Sequence, residues 1–364
     1  MYAHARCLSA VEPSVRFLPK IDMSEEVDDF LPTHSISSPE RAGITVSHES
    51  GVFSRLYESK LMWQFDHRFG TFENCSVTEQ QAGNCRNPAP TEKRLPSLIS
   101  VPRYFISHPT VCDRYSTTHQ SHLLAVRRLT NATNERTGVF AVLPFVACGN
   151  SMFAFTPLPP QESAWLASCG NSFACDFLTR NKLGGTNLLQ FILEQLAFVS
   201  WSDEHSSWCG SKEFVTARVI ELTFTAWDLE AFGADCGYAG PPFRWDENRR
   251  FMLRSELDAA FFHLYLGTPD EWERDALPAL KARLSTPRHA VDHIMETFPI
   301  VRKKDIEAHG AYRTKDTILS IYDDMAEAIR MGKPYRTRLD PPPADASCRH
   351  SESTRPSWAK PIQG

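Results

Sequence analysis

No run of about 18 apolar residues occurs in the chain, so the sequence holds no candidate membrane-spanning helix. The N-terminal stretch MYAHARCLSAVEPSVRFLPK has basic residues but no continuous apolar segment, which argues against a secretory leader. None of the ten cysteines stands in a Cys-x-x-Cys pair, so neither a zinc clip nor a tight disulfide framework is indicated. They are expected to be mostly buried, reduced thiols of a cytoplasmic protein. An excess of positive charge is also missing. The net charge of −5 and pI of about 6.2 exclude a protein that coats nucleic acid non-specifically. A local basic face within an acidic chain stays open.

Catalytic signatures are absent as well. No Gly-x-Gly turn opens a strand–helix unit, as a methyltransferase requires for its cofactor to approach the backbone. An enzyme acting on an exocyclic amine needs an Asn/Asp-Pro-Pro-Tyr/Phe loop, whose ring stacks on the flipped base. The one similar string, Asp340-Pro341-Pro342-Pro343, has proline where that ring belongs. A metal-dependent nuclease needs an Asp together with Asp/Glu-x-Lys around Mg²⁺. Glu58-Ser59-Lys60 supplies half of that spacing, and it reads better as an ion pair or a DNA-backbone contact. Asp66-His67-Arg68 lacks the second ligand a ββ-metal site would need. No Gly-x-Ser-x-Gly elbow supports a hydrolase triad.

What is present is an ordinary globular composition, 42% hydrophobic and 23% charged over 364 residues, enough for two domains. Residues 1–45 are rich in Ser, Pro and acids with little periodicity, and are expected to form a loose arm. From 46 to 205 short β-type runs alternate with turn signals, among them VPRYFI (101–106), GVFAVLPFVA (138–147) and SMFAFTPL (151–158). The stretch 75–98 reads as polar loop, and 162–180 has helical spacing. TNLLQFILEQLAFV, after Gly184–Gly185, fits a short helix or a buried strand equally well. Helices dominate 206–335. Asp246 is a plausible N-cap for a helix with the apolar stripe Phe251, Leu257, Phe261 and Leu264. Residues 314–332 repeat the pattern, and Gly332 ends it. The tail, 336–364, is expected to be disordered. The fold class expected is α+β, with a mixed β-rich domain followed by a helical one.

Several strings are more specific than composition. LYESKLMWQFDHRFGTF (56–72) followed by PRYF (102–105) resembles the entry to the target-recognition region of type IIG restriction–modification enzymes. Those are single chains that fuse an N6-adenine DNA methyltransferase to a nuclease. The family pattern has glycine at the place of Ser59 and histidine at the place of Trp63. NATNERTGVFAVLP (131–144) is similar to its Thr-Asn/Asp-Glu-Arg-Thr segment. NSFACDFLTRNKLGGTNLLQFILEQL (171–196) is similar to its Arg-Gln-Lys-Gly-Gly-Thr-His-Leu-Asn segment, with Asn181 for Gln and Asn187 for His. Residues 221–265 and 297–323 resemble the family's helical C-terminal portion, so the likeness runs in order from about 50 to 345.

The resemblance implies that this chain corresponds to the part that chooses the DNA sequence. The S-adenosylmethionine-binding and Mg²⁺-dependent catalytic parts would lie upstream, in domains this chain lacks. The partners expected are double-stranded DNA and a separate methyltransferase/nuclease chain, with no membrane. An inactive C-terminal fragment of such an enzyme is the alternative, and a metal-dependent nuclease a third reading. The residues expected to contact DNA are Lys60, His67, Arg68, Arg136, Lys182, Gly184, Gly185, Thr186, Lys303, Lys304 and Arg313. Each has a structural alternative: core support for Lys60, His67 and Arg68, a buried network with Asn134 and Glu135 for Arg136, a helix-ending turn for 182–186, and a solvated helix face for Lys303, Lys304 and Arg313. The glycine pair would let backbone amides approach a phosphate, while the cations supply charge. Arg244, Arg249, Arg250 and Arg254, interleaved with Asp246, Glu247 and Glu256, read instead as ion-paired surface, and Trp227 and Trp245 as packing anchors.

Overall fold

The computed structural model describes residues 5–11, 15–38, 43–115, 121–200 and 211–359. The predicted 205/206 domain junction therefore lies outside the described residues, as does the very end of the chain.

The architecture is α+β, with antiparallel sheets in the first half and helices in the second. Ten strands are described: β1 (Ala5–Cys7), β2 (Phe30–Pro32), β3 (Thr45–His48), β4 (Gly51–Tyr57), β5 (Tyr104–Ser107), β6 (His122–Arg127), β7 (Phe140–Pro144), β8 (Ala147–Cys148), β9 (Met152–Ala154) and β10 (Ala197–Val199). A five-stranded sheet runs β2-β5-β4-β3. Its fifth strand, β8, pairs in parallel with the end of β4 through Leu56↔Ala147 and Tyr57↔Cys148. A three-stranded sheet runs β7-β6-β9, and β1 pairs with β10.

The β6–β7 ribbon explains why those strands read as continuous apolar runs. Side chains alternate across a strand, and here both faces are covered. Leu124, Val126, Phe140 and Val142 face one core, which also holds the helices. Leu123, Ala125, Ala141 and Leu143 face a second core beneath the five-stranded sheet. Gly170 permits the close approach on the helical side, since a Cβ there would sit 2.5 Å from the Phe140 ring.

Eight described helices have eight residues or more: α1 (His108–Tyr115), α2 (Pro160–Asn171), α3 (Phe173–Lys182), α4 (Lys212–Thr223), α5 (Glu247–Leu266), α6 (Pro287–Glu296), α7 (Pro299–His309) and α8 (Arg313–Arg330). Asp246 caps α5 as expected, its carboxylate accepting from the Arg249 amide at 2.8 Å. Ser172 breaks the predicted 162–180 helix in two and caps α3 by accepting from Cys175 N at 3.2 Å. The undecided stretch 186–199 forms both elements, a short helix over Gln190–Glu194 and then β10.

Helix α5 differs from the single stripe expected of it. Packed by α2, α3, α4 and α8, it is buried all round from Ser255 to Leu266, polar residues included. The cost of burying those groups is met by specific partners. Glu256, fully buried, accepts from Arg218 at 2.6 Å, Tyr335 at 3.0 Å, Thr337 at 2.7 Å and the Arg338 amide at 3.0 Å. Two expectations are corrected by contacts of this kind and by strand pairing. Residues 336–359 are not a free tail: besides the bonds to Glu256, Ala344 N donates to Glu221 at 2.8 Å and Cys348 packs into the core. Nor is the first segment a loose arm, because β1 pairs with β10, β2 extends the larger sheet and Leu8 and Ile21 are fully buried. One hydrophobic core, moreover, joins Leu124 and Phe140 of the β-rich half to Leu257 and Ile318 of the helical half. Among the described cysteines none is in a disulfide, and four of nine are buried, fewer than expected. No described helix is long and apolar enough to cross a membrane.

His263 stacks on Tyr322 with ring centroids 3.8 Å apart, its Nε2 3.0 Å from the Tyr322 carbonyl. Burial pushes its imidazole down to about 4, and burial does the same to His122. A depressed folded value means the contribution to stability is present above about pH 6.5 and lost as pH falls toward 4. Asp258 works the other way: burial raises it to about 6, so it favours folding as pH falls through that value. Asp258 is common to parent and variant, so a comparison cancels it. His263→Gln is therefore expected to remove about 3 kcal/mol of the acid sensitivity between pH 6.5 and 4, read from unfolding midpoints. Equal acid sensitivity in the two proteins would refute it.

Candidate nucleic-acid interface

The eleven residues expected to touch DNA divide sharply by burial. His67 and Arg68 lie inside, on the segment that follows β4. His67 Nε2 is 2.9 Å from Asp228 Oδ1, and both side chains are almost completely buried. Arg68, with no exposed surface, donates to the carbonyls of Lys93 (3.1 Å), Leu95 (3.1 Å) and Leu98 (3.2 Å) and to the Thr225 hydroxyl (2.8 Å). Burial pulls its guanidinium downward, against the carboxylates of Asp66 and Asp228. Burial would raise Asp66 in turn, but Lys93, Arg250 and Arg68 outweigh it and hold the carboxyl below its usual range. Asp66-His67-Arg68 thus ties the β-rich half to Thr225 and Asp228, just after α4 in the helical half. Neither His67 nor Arg68 is open to a duplex.

Arg136 is also internal. Its Nε donates to Asp176 Oδ2 at 2.7 Å, its guanidinium lies 3.8 Å from the centre of the Phe173 ring, and a further bond goes to the Asn171 carbonyl. Asp176 holds the amides of Thr137 (3.0 Å) and Gly138 (2.9 Å) as well, so it ties the 131–138 loop to α3. Lys60 is partly exposed but engaged, donating to the Gly83 carbonyl at 2.8 Å and lying 3.4 Å from Glu58. That is the ion-pair reading of Glu58-Ser59-Lys60. Trp227 and Trp245 are both buried. Of the arginines around residue 250, Arg249 is ion-paired, with Glu221, but Arg250 is not the surface residue expected: it is buried against the Phe65 and Leu222 carbonyls and the Trp245 ring.

The remaining residues are at the surface. Lys303 is 74% exposed and 3.8 Å from Glu307, and Lys304 is 2.5 Å from Glu135 of the 131–138 loop. Pairs this exposed contribute little to stability and exchange readily for another anion. Arg313 lies over the Phe251 ring at 4.1 Å and reaches Asn248 at 3.4 Å.

The loop after α3 is the most open of these sites. Lys182 Nζ donates to the Gln195 carbonyl at 2.6 Å and remains exposed. Gly184, Gly185 and Thr186 follow, all exposed, and none of their amides donates to another described residue. Nothing lies within 4 Å of where a Cβ of either glycine would stand. Beside the lysine, these exposed amides are available as donors to an oxyanion. The loop is fixed at its far end, where the Thr186 carbonyl accepts from Thr130 at 3.1 Å and Leu188 N donates to Arg128 at 2.8 Å.

This clip brings in residues that the sequence reading missed. Arg128 leaves the end of β6 and lines a groove of about 700 Å³ with Lys20, Phe17, Phe153, Leu189 and Phe191. Leu129 and Phe191 are more than half exposed. The signal lay in the paired Arg127-Arg128 ending an apolar run, HLLAVRR, at which the strand meets solvent. Chemically, this edge offers cations and amides for phosphates, with apolar side chains of the kind that wedge against base steps. No protein-family model, curated protein or solved structure matches the chain.

Proposed function

We propose that this chain binds double-stranded DNA and reads its sequence, as the specificity portion of an adenine-modifying restriction–modification system. Catalysis is supplied by another chain, which also holds S-adenosylmethionine and Mg²⁺. The observation that carries the reading is the exposed Lys182–Thr186 loop beside Arg128, where the amides of Gly184, Gly185 and Thr186 donate to no other described residue. The ordered likeness of 56–72, 131–144 and 171–196 to target-recognition segments gives it its specific content.

The buried residues of those strings serve the same end indirectly. Asp66-His67-Arg68 and Arg136–Asp176 hold the loops in place, and the exposed edge makes the contacts. Phosphate contacts position a protein on a duplex without carrying sequence information, which comes from base edges. The test is selection from duplexes with a randomised central stretch. Enrichment of one sequence family after several rounds is expected; recovery of an unenriched pool sinks the proposal.

A further inference from the structure

A cavity of about 110 Å³ lies between the 131–138 loop, the start of α3 and the middle of α5. It has room for several water molecules, whose share of liquid volume is about 30 Å³ each. Its polar lining is left unsatisfied in a patterned way. Arg254 and Asp258 stand one turn apart on α5, a spacing at which arginine and aspartate ordinarily pair. Here Arg254 makes no hydrogen bond or ion pair with any described residue, although it lies within electrostatic range of Asp258. Asp258 uses Oδ1 for the Phe173 amide at 2.9 Å, and its other oxygen takes no donor from the described residues.

Two more groups point the same way. Ser168, 1% exposed, lines the cavity with a hydroxyl that has no partner among the described residues. Gln64 donates its amide nitrogen to the Gly138 (2.7 Å) and Asn171 (3.3 Å) carbonyls, and its carbonyl oxygen takes no donor from the described residues. A forked donor and a carboxylate acceptor side by side, with apolar walls from Phe173 and Leu257, suit neither a simple anion nor an apolar ligand.

We propose that this cavity is a guanine-binding site, with Arg254 donating to acceptors of the base and Asp258 accepting from its N–H groups. Guanine sets O6 beside N–H donors on one edge, and arginine is the side chain that matches its acceptors. Adenine would bring an amine against the guanidinium. The sugar and phosphate would lie at the mouth, near Glu135, Thr314 and the Lys304 that pairs with Glu135. The base could belong to a free nucleotide or to one extruded from DNA. The inference does not rest on duplex binding.

Calorimetric titration of the full chain with GMP, IMP, AMP and CMP tests it, because the phosphate and sugar are shared and the base edge differs. GMP is expected to bind, IMP more weakly, and AMP and CMP at least about 10-fold more weakly. Arg254→Gln is expected to weaken GMP on the order of 10- to 100-fold. Ser168→Ala removes a hydroxyl that bonds to no described residue, so it should fold as the parent does and bind GMP less well. Competition by a duplex carrying an unpaired guanine assigns the base to DNA; GMP binding without such competition assigns it to a free nucleotide. No heat with GMP at millimolar concentration, AMP binding as tightly as GMP, or unchanged GMP affinity in Arg254→Gln would each overturn the proposal. GMP binding by a chain that fails to bind duplexes would leave it standing and remove only the DNA reading.

Discussion

Asp176→Ala is expected to cost about 3–5 kcal/mol of folding stability, the largest effect of any single substitution considered. The carboxylate is fully buried and holds three groups at once: the Arg136 guanidinium and the amides of Thr137 and Gly138. Alanine leaves a buried cation without its counter-ion and two amides without acceptors, and each such group pays its full desolvation cost. Against a total stability of about 5–15 kcal/mol, that removes a large share. Asp176→Asn keeps an acceptor but loses the charge, so it should fall between parent and alanine variant. Urea midpoints measure both. A loss below about 1 kcal/mol for Asp176→Ala would mean that the network does not anchor the loop. The opposite substitution is instructive: because Arg136 faces Asp176 and Phe173 rather than solvent, its loss should act on stability before it acts on any ligand.

Lys182→Ala combined with Arg128→Ala is expected to lower duplex affinity about 10-fold or more and to make its salt dependence shallower by about 0.9 per lost phosphate contact. Lys182 is exposed and, among the described residues, bonds only to the Gln195 carbonyl, so its removal should barely move the unfolding midpoint. Arg128 donates to the Asn150 carbonyl at 3.1 Å and carries a modest structural cost, which the midpoint of the single variant reports. Lys60→Ala is the control, since Lys60 engages Glu58 and Gly83. Unchanged affinity in the double variant, with Lys60→Ala weakening binding instead, would place the interface elsewhere.

Local chemistry made some of this structure legible and left the rest invisible. The cap at Asp246, the start of α5 and the stop at Gly332 follow from short-range geometry, and they stand where the sequence puts them. The Ser76–Glu79 capping box that starts a short helix at Val77 was also readable, although the stretch looked like polar loop. The first segment and the tail were not readable. They lack periodicity of their own and are held by distant partners, such as Glu256 for Thr337 and Val199 for Ala5.

For the site, residue type could say that His67, Arg68 and Arg136 are donors, but not that they face inward. A buried arginine with four protein acceptors and a surface arginine on a phosphate have the same letter and similar neighbours. What separates them is tertiary packing, the approach of Thr225 and Asp228 from about 160 residues away in the case of Arg68 and His67. The glycine pair was different. Two glycines between Lys182 and Thr186 fit a helix-ending turn and a phosphate-binding turn alike; the loop does follow α3, and its amides donate to no other described residue.

The most direct measurement is the equilibrium binding of the full chain to duplex DNA over a series of salt concentrations from about 50 to 200 mM. A sequence reader with its phosphate contacts on the Lys182–Thr186 edge predicts log K falling linearly with log salt, by about 0.9 for each phosphate neutralised, with a selected sequence bound more tightly than a scrambled one. No binding at the lowest salt, or binding that is indifferent to both salt and sequence, would contradict it.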